Sequence, residues 1–224
     1  TTQGVFETSA GPNIPPGAAW AIRTLAQAAT ITPDDDALRD QFVASLDANI
    51  NHYHGKYIAK ANNPLGLVHP YDNYNGAGNA AQPWSGAIWM DDFFTATFGY
   101  LKEMGGYSSD VQAKLDQFVA WKYRSVVGRL GGSGSGEFSY RYAGQYNVNY
   151  APSGTVDWSG GTGPWYQTWG AVARSMNLGT AGEVGQSPDS ERYGIVIEVA
   201  GRVAKRLDVE LEKSIYVGRI ELAA

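Results

Sequence analysis

The stretch AAQPWSGAIWMDDFFTATFGYLKEMGG, residues 80–106, decides how the rest of the chain is read. From Ile88 to Tyr100 it is almost entirely apolar or aromatic, at the spacing of a buried helix, yet Asp91 and Asp92 stand side by side within it. Neighbouring helical residues point about 100° apart, so the two carboxylates cannot face one spot. Asp91 shares a side with Ile88, Thr95 and Phe98, and Asp92 shares one with Trp89 and Ala96. Two explanations fit. The acids serve the positive end of the helix or accept a hydrogen bond from a Tyr or a backbone N–H of the loop above; alternatively, burial holds a carboxyl protonated as a general acid.

Helical periodicity extends outward from this segment. PGAAWAIRTLAQAAT predicts a helix over 17–30 with Trp20, Leu25 and Ala28 on its apolar side. TPDDDALRDQFVASLDANINHYHGKYIAK predicts a second, with Thr32 as N-cap, Pro33 at the first position and three Asp at the positive end. Its stripe is Leu38, Phe42, Leu46, Ile50, Tyr53 and Tyr57. A fourth helix, SSDVQAKLDQFVAWKYRSVV, turns Val111, Leu115, Phe118, Val119 and Val126 to one face, and a fifth carries Trp165, Trp169, Val172 and Met176 in register.

The fold class expected is therefore all-α. Short turns join helices one and two and helices three and four, whereas 61–85 and 128–164 are long connections rich in Gly, Asn and Tyr. In an up-and-down array both long loops fall at the same end, beside the starts of helices three and five. EFSYRYAGQYNVNYAPSGTVDW, inside the second loop, reads as a β-hairpin excursion. GGSGSG at 131–136 reads as a flexible linker. No Trp follows Trp169 and the charge density rises, so the chain is divided into a helical domain at 1–182 and a C-terminal segment at 183–224, with a helix over about 188–207 and a strand or tail beyond.

Composition excludes several functions. A net charge of −5 without a dense Lys/Arg cluster argues against nucleic acid, and no apolar run has the length of a membrane span. The start TTQGVF, without Met or a signal-type segment, reads as a processed or trimmed form. Absence of Cys removes disulfides and thiolate metal sites. His52 and His54 are two residues apart and face away from each other on a helix, with His69 the only other histidine, so no metal is expected. HPYDNYNGAGNAAQPW is rich in side-chain oxygens but lacks the EF-hand spacing and reads as a turn-rich loop. No cofactor is expected, since no nucleotide-binding Gly pattern or nucleophile elbow is present.

What departs from the ordinary is the aromatic load: seven Trp, fourteen Tyr and seven Phe among 28 Gly. Aromatic faces set in Gly/Asn-rich loops suit stacking on sugar rings, which makes a carbohydrate the expected partner. Tyr71, Tyr74, Trp84, Trp89, Trp158, Trp165 and Tyr166 form the candidate stacking shell. The competing expectation is a non-catalytic subunit that uses the same aromatic rim for glycan binding and adhesion or for self-association as a homo-oligomer.

IWMDDFFTATFGYLKEMGG resembles the W-x-D-x-(L/F)-(F/Y) inner helix of the unsaturated uronyl hydrolases, (α/α) toroid glycoside hydrolases. DWSGGTGPWYQTWGAVARSM resembles that family's Gly-rich turn before another inner helix. The resemblance covers about residues 18–178 and implies a toroid-like array of helical hairpins acting on an oligo- or polysaccharide as hydrolase or lyase. Asp91 takes the position of the catalytic acid, with Asp92 as orienter or second carboxylate. If the resemblance does not hold, Asp157 is instead the candidate base of an inverting hydrolase, which needs its carboxylate about 6.5–9.5 Å from Asp91. Ser159 and Gly160 stand where the family has an Arg that meets a substrate carboxylate. Likeness to secreted bacterial proteins of this helical type implies a secreted or extracytoplasmic location. On this reading Asp91→Asn leaves the helix packed and abolishes proton delivery.

Overall fold

The computed structural model describes residues 4–6, 15–59, 63–68, 84–86, 88–129, 138, 142–143, 148–152 and 164–178. Its helices are α1 (Pro15–Ile31), α2 (Arg39–Tyr53, continued by a wide π-helical turn, His54–Ile58), α3 (Ile88–Met104), α4 (Ser109–Arg129) and α5 (Trp169–Met176). Two short strands, β1 (Ser85–Gly86) and β2 (Val148–Asn149), pair antiparallel. The described chain is thus mainly helical. The tail boundary at 182/183, the linker at 131–136 and the helix expected over 188–207 lie outside the described residues.

Helices α1 and α2 form one hairpin and α3 and α4 another, and like packs on like: α1 lies against α3 and α2 against α4. Paired positions advance together along both contacts. Trp20 meets Phe93 and Arg23 meets Tyr100, while Asn51 meets Lys114 and His54 meets Gln117. Each pair of stacked helices therefore runs parallel.

Small residues make the α1–α3 contact. Ala18, Ala19, Ile22, Ala26 and Ala29 form the buried face of α1, and the Thr97 hydroxyl donates to the Ala19 carbonyl at 3.2 Å. The face expected from Trp20, Leu25 and Ala28 is not the buried one: Trp20 is 55% exposed at the edge of the contact, against Phe93, and Leu25 and Ala28 are only half-buried. Between the layers lies an aromatic cluster of Tyr53, Tyr57, Phe94, Phe98, Phe118 and Trp121, tightest where the Phe98 and Phe118 ring centres are 4.5 Å apart. The predicted stripe of α4 is buried throughout, and α2 buries Leu46, Ile50, Tyr53 and Tyr57.

The start of α2 differs from the expectation. The Thr32 hydroxyl bonds back to the Ala28 carbonyl at 2.7 Å and closes α1, and residues 33–38 form turns in which Asp36 accepts from the Leu38 N–H at 2.8 Å. An Asp side chain that captures a backbone N–H two residues on competes with the helix, so α2 begins only at Arg39 and Leu38 remains half exposed. Within the Tyr-rich segment, Val148–Asn149 joins Ser85–Gly86, the run just before α3, and most of the expected hairpin lies outside the described residues.

A second core collects Leu65, Leu67, Ile88, Phe138, Val148, Tyr150, Trp165, Trp169 and Val172 around α5. Thr168 caps this helix through the Ala171 N–H at 3.1 Å, and Asn177, at φ 54°, ends it in the left-handed region. Trp165 precedes the helix rather than sharing its register. The Trp169 indole rests directly on the backbone of Gly128 in α4, where a Cβ would overlap the ring. Gly128→Ala is therefore expected to cost about 1–3 kcal/mol by overpacking and to move Trp169, which denaturant unfolding and near-UV circular dichroism will read.

Candidate functional site

The described parts of both long loops meet at one end of the helices. Backbone bonds run from the Tyr150 N–H to the Trp84 carbonyl and from the Tyr166 N–H to the Tyr150 carbonyl, each at 2.9 Å. The Trp169 indole N–H reaches the Leu65 carbonyl at 3.2 Å. The first turn of α3 and the last turns of α4 end in the same place, and there Asp91 and Asp92 find their partners.

Asp91 is fully buried, ion-paired to Lys122 and accepting the Val68 N–H at 2.8 Å. Lys122 donates a further bond to the Gly66 carbonyl at 2.8 Å. Asp92, also fully buried, receives both forks of Arg129, one through Nη2 and the other through Nη1 at 3.1 Å. The guanidinium reaches the Ala143 carbonyl at 2.6 Å, the Ser125 carbonyl at 3.1 Å and the Ser125 hydroxyl at 3.3 Å. All five of its N–H donors are thereby engaged.

The 100° between adjacent helical residues gives this arrangement its logic. Asp91 turns toward residues 66–68 of the first loop, and Asp92 turns toward residue 143 of the second. Each acid, with its cation from α4, fixes one loop. Of the two explanations open from sequence, the backbone N–H from the loop above is present at Val68; the cations were missed. Their signal is in α4, where Lys122 and Arg129 fall on the predicted apolar stripe between and beyond Val119 and Val126.

The segment 63–68 is held on every side. The Trp121 indole donates to the Asn63 carbonyl at 2.8 Å, the Asn63 side chain accepts from Leu65 at 3.0 Å, and the Tyr57 hydroxyl donates to the Val68 carbonyl at 3.2 Å. Gly66, at φ 75°, lies so close to α4 that a Cβ would come within 2.5 Å of the Trp121 carbonyl oxygen. A buried loop carries many polar backbone groups, and these side chains satisfy them.

Among the sequence-predicted stacking residues, Trp84, Trp165 and Tyr166 come together through the Tyr150 backbone, with Trp84 and Tyr166 half-buried and Trp165 buried. Trp89 lies in α3, but its side chain is outside the described set, as are Tyr71, Tyr74, Asp157 and Trp158 entirely. His54 bonds Gln117 at 2.7 Å. No group of three His, Cys, Asp or Glu able to hold a metal occurs among the described residues, and no described helix is long and apolar enough to cross a membrane.

No family model, curated protein or solved structure matches the chain.

Burial dominates the electrostatics of the ion pairs. It pushes the Asp92 carboxyl above its ordinary pKa, against the pull of Arg129, and pulls the Lys122 ammonium below its own, against Asp91. Such pairs contribute little net stability, but breaking one leaves a charge buried without its partner. The geometry thus reverses the expectation that Asp91→Asn leaves the fold intact. Asp91→Asn and Asp92→Asn are each expected to cost about 3–5 kcal/mol in chemical denaturation. Asp91→Leu combined with Lys122→Met removes both charges and should cost less than the sum of the two single substitutions, though the Val68 N–H and the Gly66 carbonyl lose their partners; additive costs would contradict the pairing.

Proposed function

We propose that this domain binds an oligo- or polysaccharide at the rim where its two long loops meet, and that Asp91 and Asp92 build the rim rather than transfer protons. The observation that carries the reading is the backbone link Trp84–Tyr150–Tyr166, which gathers half-buried aromatic side chains from two distant loops beside a rigid polar frame. Tyr and Trp present an apolar face and a polar edge, the pairing a pyranose ring requires. Support for a structural role of the acids comes from their complete burial and from the cation already bonded to each.

The stacking of like helices on like is the repeat from which an (α/α) toroid is built, and it agrees with the resemblance drawn from the Asp91 helix. Hydrolase or lyase chemistry through Asp91 would need that carboxyl to leave Lys122 and carry a proton toward a substrate. The binding function needs no such rearrangement.

A glycan array followed by calorimetry on the best ligand tests the proposal. Trp84→Ala and Tyr166→Ala are each expected to weaken binding by about 2 kcal/mol, roughly 30-fold, with Tm little changed. Product analysis of the same mixtures should recover the oligosaccharide intact. Shortened or unsaturated products would make the domain a hydrolase or lyase, and affinity indifferent to both substitutions would remove the rim as the site.

A further inference from the structure

The buried face of α2 carries Leu46, Ile50 and Tyr53 and, among them, the amide of Asn49. Such an amide is tolerated in an apolar face only when its polar atoms are bonded, and Asn49 uses its capacity to hold a second stretch of backbone. Its Nδ2 donates to the Gly4 carbonyl at 2.6 Å and to the Ser45 carbonyl at 2.8 Å, and its Oδ1 accepts the Phe6 N–H at 2.9 Å. The Tyr53 hydroxyl donates to the Phe6 carbonyl. Gly4 and Phe6 are alternate residues, whose backbone groups an extended chain presents to one side. Ser45, Asn49 and Tyr53 follow one another at intervals of four and so stand in one row along the helix.

The third member of the row sets a sequence requirement. Gly4 has φ 85°, and a Cβ there would come within 2.6 Å of the Ser45 Oγ. Both the backbone conformation and the close approach to α2 therefore favour glycine at this position. The strap contributes little apolar cover of its own, since Phe6 is 37% exposed and Val5 half-buried. Its attachment rests on backbone hydrogen bonds and on the absence of a side chain at residue 4.

We propose that the row Ser45, Asn49 and Tyr53 is a docking site for the segment Gly4–Phe6 of a second copy of this chain, so that two copies join by exchanging their straps. The occupant is on view, because the same segment of the same sequence is seated on the row in cis. These bonds are identical whether the segment comes from its own chain or from a neighbour. The balance between the two forms then depends on protein concentration against the effective concentration set by the eight residues, 7–14, that separate Phe6 from α1. Eight residues reach up to about 30 Å, far enough to cross to a copy alongside, and exchange of an identical element is a low-cost route to a dimer. The site lies on α2 and is independent of carbohydrate binding at the rim.

Complementation between two full-length variants is the test. Gly4→Val disables the strap and leaves the row intact, whereas Asn49→Ala disables the row and leaves the strap intact. Isotope-labelled Gly4→Val is titrated with unlabelled Asn49→Ala up to about 1 mM, the order of effective concentration that a short linker provides. The Asn49 side-chain amide signals of the labelled chain are expected to return toward their parental positions, and sedimentation to show a species of twice the mass; unlabelled Gly4→Val should produce neither. Circular dichroism verifies that both variants keep their helices. A second delivering chain, Ser45→Leu, blocks the seat of Gly4 without removing the amide and serves if Asn49→Ala loses its fold. Asn49 signals that return with neither delivering chain overturn the proposal and make the strap a fixed part of its own chain. A return produced by the acetylated peptide TTQGVFETS, but by neither chain, overturns it equally, because a second copy then fails to deliver the segment.

Discussion

Two adjacent carboxylates on the first turn of a buried helix cannot point the same way, and the rim of this molecule is arranged around that constraint. A helix offers consecutive side chains about 100° apart. Each acid therefore needs its own counter-charge and serves a different neighbour. Helix α4 supplies both cations from one face, Lys122 and Arg129, seven residues and two turns apart. The cations in turn hold backbone carbonyls of the two long loops, Gly66 in one and Ala143 in the other. Charge balance in the interior and loop position at the surface are thus one problem with one solution.

The frame has a specific energetic character. Buried ion pairs are poor sources of net stability, because desolvation of both groups offsets their attraction. The stability of the array comes instead from the aromatic cluster between its layers and from the close Ala-lined contact of α1 with α3. What the ion pairs supply is position: the carbonyls of Gly66 and Ala143 have no water-like freedom, and the segment 63–68 is bonded at nearly every residue. A rigid rim lowers the entropic cost of binding an extended, flexible ligand. The polysaccharide reading and the structural reading of the acids therefore support each other.

Much of this was legible in the sequence, and the failures are instructive. Periodicity located α1, α3 and α4 and the buried face of α4, because long amphipathic helices repeat their pattern several times; the buried face of α1 is Ala18, Ala19, Ile22, Ala26 and Ala29 rather than Trp20, Leu25 and Ala28. Alternating connection lengths placed both loops at one end. The start of α2 was misread because TPDDD carries every local sign of a helix N-terminus, while the Asp36 side chain satisfies the backbone in a turn instead. Helical periodicity places Trp20 on the apolar side of α1, but the indole stands at the edge of the Ala-lined buried face. Asp91 and Asp92 were recognised as the odd feature, but a partner 31 or 37 residues away has no local signature. It shows only as two charges within the apolar stripe of α4. The strand pairing of Ser85 with Asn149 depends on tertiary placement and has no trace in local pattern.

Amide hydrogen exchange on Asp91→Asn and Asp92→Asn, compared residue by residue with the parent protein under conditions where all three remain folded, tests the central claim most directly. If each acid fixes its own loop, Asp91→Asn loses protection at Leu65 and Val68 while Tyr150 and Tyr166 keep theirs. Asp92→Asn should show the reverse, with the Tyr150 and Tyr166 amides exposed and the 63–68 segment still protected. Equal loss at both loops in either variant, or no loss at all, would contradict the division of labour between the two acids.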